Sequence, residues 1–306
     1  MLLLTLLLTA LSCTTLGHEH HCIHDQIIQR ESYITHKTNG KQSYATDAAH
    51  RRLGTAVWSP IRISTEFLKL SVPDRDSNMD DTKAAFLQDT LIPAAIRRLQ
   101  RVLSVRAVTG PLYAHRRCTS SYRGFSPYRC ASYASPTCDS GDSFGTITLP
   151  DAYLGEDTQY NSQMQTVTLP TGGGVPNTDV HLFVTASQTS GCGSSGGGGT
   201  LAYAYSCQRD QHGRPVFGRI NVCPLGIETT PQKFDRQLAT AVHELLHALG
   251  FSSDSWPLFL NEDGTPRTSR SSGEPEQPDD AHVISFSCLG TTHSTFEASS
   301  TTTSYF

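Results

Sequence analysis

The clearest hydrophobic pattern in the chain lies between residues 231 and 249. Apolar side chains recur there at helical spacing, at Phe234, Leu238, Ala241, Val242, Leu245 and Leu249. Thr230 is a candidate N-cap, Pro231 suits the first helical position, and Gly250 suits the position that ends a helix. The pattern therefore predicts an amphipathic helix that begins at Pro231 and ends at Gly250.

A second helical pattern covers residues 80–108 and keeps its apolar positions on one face. Pro93 lies inside this stretch, so the helix is expected to kink or split there. Strands are predicted where apolar residues form short runs or alternate with polar ones. These stretches are residues 56–68, 179–187, 200–208 and 217–224, of which 200–208 is typical of an edge strand.

The two ends of the chain lack a core-forming pattern. Residues 1–17 form an apolar run followed by small residues, which predicts a signal peptide, with an uncleaved anchor as the alternative. Residues 18–53 are polar and are predicted to be a pro-segment. Residues 54–268 are the predicted folded region, and the Ser/Thr-rich residues 269–306 are expected to be a divergent, disordered tail.

The net charge gives no indication of nucleic-acid binding, and the cysteine count predicts disulfides. The formal net charge of the 306 residues is −4, and Lys and Arg form no long basic run, so nothing indicates nucleic-acid binding. Removal of Cys13 with the signal peptide would leave eight of the nine cysteines. An even set in a secreted chain predicts disulfides, although the pairing cannot be read from the sequence.

The predicted helix at 231–249 carries candidate metal chemistry. His243 and His247 are four residues apart, which puts both imidazoles on one face of the helix. Neutral imidazole nitrogens bind zinc at about 2.0–2.1 Å, and zinc acidifies a bound water that Glu244 could deprotonate. The pattern predicts one Zn²⁺ ion with His243 and His247 as ligands and Glu244 as general base. A surface helix with incidental His and Glu residues is the alternative.

The stretch "HELLHALGFS" (243–252) resembles the leishmanolysin family of secreted or surface zinc endopeptidases, which share the metzincin HExxHxxG opening. The likeness extends over roughly residues 20–270, including "WSPIRIS" (58–64) and "LIPAAIRRLQRVLSV" (91–105). It implies an α+β fold, namely a metzincin-like N-terminal catalytic subdomain with a twisted mixed sheet and an active-site helix. It also implies protein or peptide substrates, bound by β-addition to the edge strand at 200–208. Membrane-surface association and oligomeric state stay open.

The chain departs from the family pattern after Gly250. The family's third His lies well past the glycine and is followed by a Met-turn, whereas this chain has methionines only at positions 1, 79 and 164. The usual metzincin third position is Ser253, and the later histidines are His282 and His293. The resemblance therefore implies that the C-terminal subdomain is missing. His293 could serve as the third ligand only by ordering the Ser/Thr-rich tail.

Cys22 has two interpretations. The resemblance suggests that its thiolate occupies the open zinc position and keeps the enzyme latent. The alternative is a structural disulfide. Without Cys22 and Cys288, six cysteines remain in the predicted folded region, again an even number.

Three hypotheses about function follow. The first is a zinc-dependent metalloendopeptidase, secreted or at the cell surface, that hydrolyses peptide bonds with a metal-activated water and Glu244. The second is a catalytically inactive form that acts as a peptide-binding or cell-adhesion module. The third is a chain that does not fold stably.

Overall fold

The computed structural model describes Cys22 and residues 58–125, 129–138, 146–192, 199–210 and 212–252. Beyond residue 252 it describes a few single positions up to residue 267 and four short strands. The chain divides into two units, His20–Gly250 and a second one made of Met1–Glu19 and Phe251–Phe306. The predicted signal peptide, and the predicted pro-segment apart from Cys22, lie outside the described residues.

The unit His20–Gly250 contains both helices and strands. Its strands are β1 (Trp58–Pro60), β2 (Ile63–Leu68), β3 (Ser104–Arg106), β4 (Arg117–Tyr122), β5 (Arg129–Ala134), β6 (Thr137–Cys138), β7 (Ile147–Thr148), β8 (Asp157–Tyr160), β9 (Thr166–Leu169), β10 (Val180–Thr185), β11 (Ala202–Arg209) and β12 (Pro215–Val222). Its helices are α1 (Asp81–Ala85), α2 (Ile92–Val102) and α3 (Pro231–Ala248), with a π-helical turn, Phe86–Leu91, between α1 and α2. Short 3₁₀ turns lie at Asp151–Tyr153, Ser190–Cys192 and Pro224–Gly226.

A four-stranded mixed sheet forms the centre of this unit, in the order β11-β12-β10-β2. The strands β2, β10 and β12 are parallel, and β11 pairs antiparallel with β12. The strand predicted at 200–208 therefore lies at an edge of the sheet, as its alternating pattern indicated. The α+β fold class and the mixed sheet implied by the family resemblance are confirmed.

Hydrophobic cores cover both faces of the sheet. Successive side chains of a strand point to opposite faces, so β10 contributes Leu182 and Val184 to one core and Phe183 to the other. The first core packs the sheet against the helices and includes Leu238 and Leu245 of α3. The second core lies beneath the 108–175 segment. Every residue of β10 is buried, as expected for a central strand of a covered sheet.

The helix predicted at 80–108 is continuous from Asp81 to Val102, with the π-helical turn Phe86–Leu91 just before Pro93, and it ends earlier than expected. Pro93 follows the π-helical turn directly, and Leu91 and Ile92 before it keep right-handed helical backbone angles. The prediction was wrong beyond Val102, because Leu103 is already extended and the next three residues form β3. There Ser104 and Arg106 pair with Pro60 and Trp58 of β1.

Three disulfides link this unit internally, which confirms the prediction from the cysteine count. They are Cys118–Cys130, Cys138–Cys207 and Cys192–Cys223. The first joins β4 to β5, and the second joins β6 to the edge strand β11. The six cysteines left in the folded region are therefore all paired with one another.

In the second unit the structure describes two strand pairs. One joins β13 (Arg270–Ser271) to β14 (Glu274–Pro275), and the other joins β15 (His282–Cys288) to β16 (Thr291–Glu297). Both pairs lie within the segment 269–306 that the sequence predicts to be disordered. Among the described residues of the whole chain, no helix has the length and apolar character needed to cross a bilayer.

Candidate metal centre

The helix α3 forms as the sequence predicts, and both of its ends are defined by local residues. Thr230 takes the extended N-cap conformation and Pro231 the first helical position, although the Thr230 side chain makes no capping hydrogen bond. At the other end Gly250 has φ 104°, a conformation that glycine adopts without the Cβ strain of other residues. The helix buries Leu238, Ala241 and Leu245 against the sheet.

His243 and His247 bring two ring nitrogens together on this helix. Their Nε2 atoms are 3.1 Å apart, and the rings are nearly perpendicular, with an interplanar angle of 85°. Two ligands at about 2.05 Å from one ion are 3.1 Å apart when the angle at the ion is about 100°. That angle is close to tetrahedral, so the pair can hold one zinc ion as it stands.

The Cys22 thiol lies at the same place. Its Sγ atom is 3.4 Å from His247 Nε2. The candidate ligand atoms of Cys22, His243 and His247 all lie within 4.8 Å of one another. A thiolate and two imidazoles form a donor set that suits zinc. Because Cys22 is not disulfide-bonded, the arrangement favours its role as a ligand over the disulfide alternative.

Glu244 lies next to this pair but is fully buried. Its Oε1 atom is 3.9 Å from His243 Nε2, and its carboxylate accepts a hydrogen bond from the Ala204 backbone N–H. Burial raises the pKa of Glu244 to about 8, against the opposing effects of His243 and Ala204. A carboxyl whose pKa lies near neutrality is suited to accept and release a proton.

The contact between Ala204 and Glu244 was missed by sequence reasoning. Ala204 belongs to the edge strand β11, where it is paired in register with Ile220 of β12. The edge strand therefore orients the candidate base through a backbone N–H. Every residue except proline has a backbone N–H, so the sequence does not show which one donates to Glu244. Only the packing of α3 against β11 reveals this contact.

Comparison with known proteins agrees with this geometry. Residues 156–263 match the family model described as leishmanolysin, a range that includes β10, β11, β12 and α3. The chain is a relative of the leishmanolysins. The family resemblance carried by "HELLHALGFS" is thereby confirmed.

Animal leishmanolysin-like proteins match over most of the chain. A leishmanolysin-like peptidase of Drosophila melanogaster is 30% identical over 273 residues, which cover 86% of this chain and 38% of the fly protein. One of Caenorhabditis elegans is 31% identical over 219 residues, 70% of this chain and 31% of the worm protein. A ciliated left-right organizer metallopeptidase of Xenopus laevis is 28% identical over 248 residues, 78% of this chain and 33% of the frog protein. The chain thus spans about a third of the length of these three relatives.

The histidine that the family places after the glycine has no assigned counterpart here. Ser253, at the usual metzincin third position, lies outside the described residues. His282 and His293 belong to β15 and β16 of the other unit. The leishmanolysin relationship therefore leaves the third histidine ligand open.

Proposed function

We propose that this chain carries the zinc-binding centre of a metalloendopeptidase that hydrolyses peptide bonds in proteins. The observation that supports the proposal is the convergence of Cys22, His243 and His247 ligand atoms within 4.8 Å of one another, beside the buried Glu244. The leishmanolysin-like relatives are named peptidases and metallopeptidases, which agrees with this chemistry. The disulfides and the apolar N-terminal run support a secreted or cell-surface location.

In this proposal His243 and His247 hold one zinc ion, and Glu244 handles the proton. When bound, zinc supplies Lewis acidity that polarises a peptide carbonyl and lowers the pKa of water. Glu244 accepts the proton of the attacking water and passes it to the leaving amine. Its contact with the Ala204 N–H fixes the carboxylate, and the same edge strand, β11, binds the substrate backbone by β-addition.

Cys22 gives the centre a latent state in the same proposal. Its thiolate is the third protein ligand, and it takes the position that substrate and water need. Removal of this ligand should therefore raise peptidase activity rather than abolish it.

Cleavage of an unfolded protein substrate by the secreted full chain tests the main proposal. With zinc present, and after treatment with a thiol-modifying reagent that displaces Cys22, we expect proteolysis that a chelator and Glu244→Gln both abolish. Glu228→Gln is the matched control, because Glu228 lies just before α3 with about half of its side chain exposed, at 48%. A folded, zinc-loaded protein that cleaves nothing even after this treatment would support the peptide-binding or cell-adhesion module instead. A chain without cooperative unfolding would support the third hypothesis.

Cys22→Ser tests the latency proposal in the same assay. With zinc supplied in excess, because the variant loses one of its three candidate ligands, we expect proteolysis without any activating treatment. Labelling of the Cys22 thiol by an alkylating reagent should be slow with zinc and fast with a chelator. Equal activity of the parent and Cys22→Ser, with equal labelling rates, would contradict a role for Cys22 at the metal.

A further inference from the structure

A second cluster of candidate ligands lies on the sheet face opposite α3. At its centre is His181 of β10, which is 3% exposed. Its ring centroid lies 5.1 Å from those of Tyr153 and Phe183 and 5.9 Å from that of Phe217. The aromatic rings fix the position of the imidazole within the second core.

Both ring nitrogens of His181 face oxygen atoms. Nδ1 lies 2.8 Å from Ser64 Oγ, which also accepts a hydrogen bond of 2.8 Å from Thr178 Oγ1. Nε2 lies 3.6 Å from Glu66 Oε2, which is an ion-pair distance, and makes no hydrogen bond of normal length among the described residues. A buried ring nitrogen without a hydrogen bond is unusual in a folded protein and calls for a ligand or a water.

The distance between these two atoms fits one metal ion. A nitrogen and an oxygen each at about 2.05 Å from an ion are 3.6 Å apart when the angle at the ion is about 120°. At this separation the two atoms would not have to approach or draw apart to share one ion. The contact of Nδ1 with Ser64 is the kind of hydrogen bond that orients metal-binding histidines.

Solvent can reach the pair from the side of Glu66, whose side chain is 31% exposed. Tyr153 donates a hydrogen bond of 2.8 Å to the same carboxylate oxygen. Burial, together with Glu66, raises the pKa of Tyr153 to about 12, so its hydroxyl remains a donor. Glu66 is therefore held in place by Tyr153 while it stays accessible to an ion and its waters.

We propose that His181 Nε2 and Glu66 Oε2 bind a second zinc ion, with water completing its coordination. An imidazole, a carboxylate and water are donors that zinc accepts. The ion would join β2, β10 and the turn at Asp151–Tyr153, and so stabilise the second core. The inference does not depend on the proposed peptidase activity, because the cluster lies on the other face of the sheet from α3.

Zinc titration of a chain without the first centre tests the inference. The parent for this experiment is the secreted full chain with His243→Ala and His247→Ala, and with the histidines of residues 18–24 replaced by serine to remove their loose metal binding. We expect calorimetry to show one zinc ion bound per chain. The melting temperature should rise when zinc is added. Cobalt(II), used in place of zinc, should give a visible absorption band that shows it is bound at a defined site.

Two substitutions then locate the ion. Glu66→Gln keeps an acceptor for the Tyr153 hydroxyl but removes the charged ligand, and His181→Gln removes the imidazole. Each substitution should abolish binding of the one zinc ion per chain and the rise in melting temperature that zinc causes. Ser64→Ala should weaken binding about 10- to 100-fold, because the ring loses its orienting hydrogen bond. His212→Gln changes an exposed histidine and should leave binding unchanged.

The inference is overturned if the folded parent binds no zinc, or if Glu66→Gln and His181→Gln both bind it as tightly as the parent. Should His181→Gln fail to fold, Glu66→Gln alone decides, because Glu66 is partly exposed and the variant keeps its shape. Loss of proteolysis in the unmodified chain has no bearing on these outcomes. The failure of this inference and that of the proposed function are therefore distinguishable.

Discussion

Moderate acid should destabilise this protein through His115. The residue is 5% exposed, and burial lowers the pKa of its imidazole to about 4. Its backbone is fixed by Gln208 of β11, whose Oε1 accepts a hydrogen bond of 3.0 Å from the His115 N–H. The Gln208 Nε2 donates one of 2.8 Å to the His115 carbonyl. His115 therefore cannot easily move into water to accept a proton.

The sign and size of the effect follow from proton linkage. Between pH 6.5 and about 4, the unfolded chain binds a proton at His115 that the folded protein does not bind. The stability that His115 contributes is therefore complete above pH 6.5 and is lost as the pH falls towards 4. At about 1.4 kcal/mol per pH unit, and with titration incomplete at both ends of the interval from 6.5 to about 4, the loss is about 3 kcal/mol.

Urea denaturation at several pH values between 7.5 and 4.5 measures this loss. We expect His115→Gln to have a lower free energy of unfolding than the parent at pH 7.5. Between pH 7.5 and 4.5 its free energy of unfolding should fall by about 3 kcal/mol less than that of the parent. His212→Gln, which removes an exposed imidazole, is the control and should keep the loss of about 3 kcal/mol that is assigned to His115. Burial also lowers the pKa of His181, with Glu66 opposing, so only the difference between variants is informative.

The buried carboxyls of Asp157 and Asp210 act in the opposite direction. Burial raises the pKa of Asp157 and that of Asp210, despite hydrogen bonds to both carboxylates. The folded protein then binds their protons more readily than the unfolded chain does, so they favour folding as the pH falls. If His115→Gln loses as much stability in acid as the parent, the assignment of the effect to His115 is refuted.

Two further predictions concern the framework of the site. Leu245→Ala should lower the free energy of unfolding by about 2–5 kcal/mol in urea, because this fully buried side chain joins α3 to the sheet. Loss of less than about 1 kcal/mol would contradict that packing. Replacing Cys138 and Cys207 by alanine should lower the free energy of unfolding by about 4 kcal/mol, because this disulfide joins residues 69 apart in the chain. Replacing Cys118 and Cys130, which are 12 residues apart, should lower it by about 3 kcal/mol. The reverse order in urea denaturation would contradict the chain-entropy argument.

The elements that the sequence predicted well are those whose signals are local. Helix α3 follows from its apolar spacing, Pro231 and Gly250, and its bounds differ little from the prediction. The early end of α2 could not be predicted in this way. Residues after Val102 leave the helix because Ser104–Arg106 pair with β1, some 45 residues earlier, and a local pattern does not report that partner.

The same distinction applies to the candidate sites. His243 and His247 could be predicted to converge because four residues on a helix fix their separation. Cys22 could be placed beside them only by resemblance, since it is 225 residues away from His247 in the chain. The pair of His181 and Ser64 depends on the parallel pairing of β10 with β2, across a separation of 117 residues. Nothing in the sequence around either residue indicates that contact.

The edge strand β11 links the candidate base to the rest of the fold. Ala204, near its start, donates the hydrogen bond that holds Glu244. Cys207 and Gln208, near its end, fix the strand to Cys138 and to the His115 backbone. Since these anchors lie three and four residues from Ala204, a change that frees the end of β11 should also loosen the contact that orients Glu244. Protonation of His115 and loss of the Cys138–Cys207 disulfide should therefore act on the candidate active site as well as on stability.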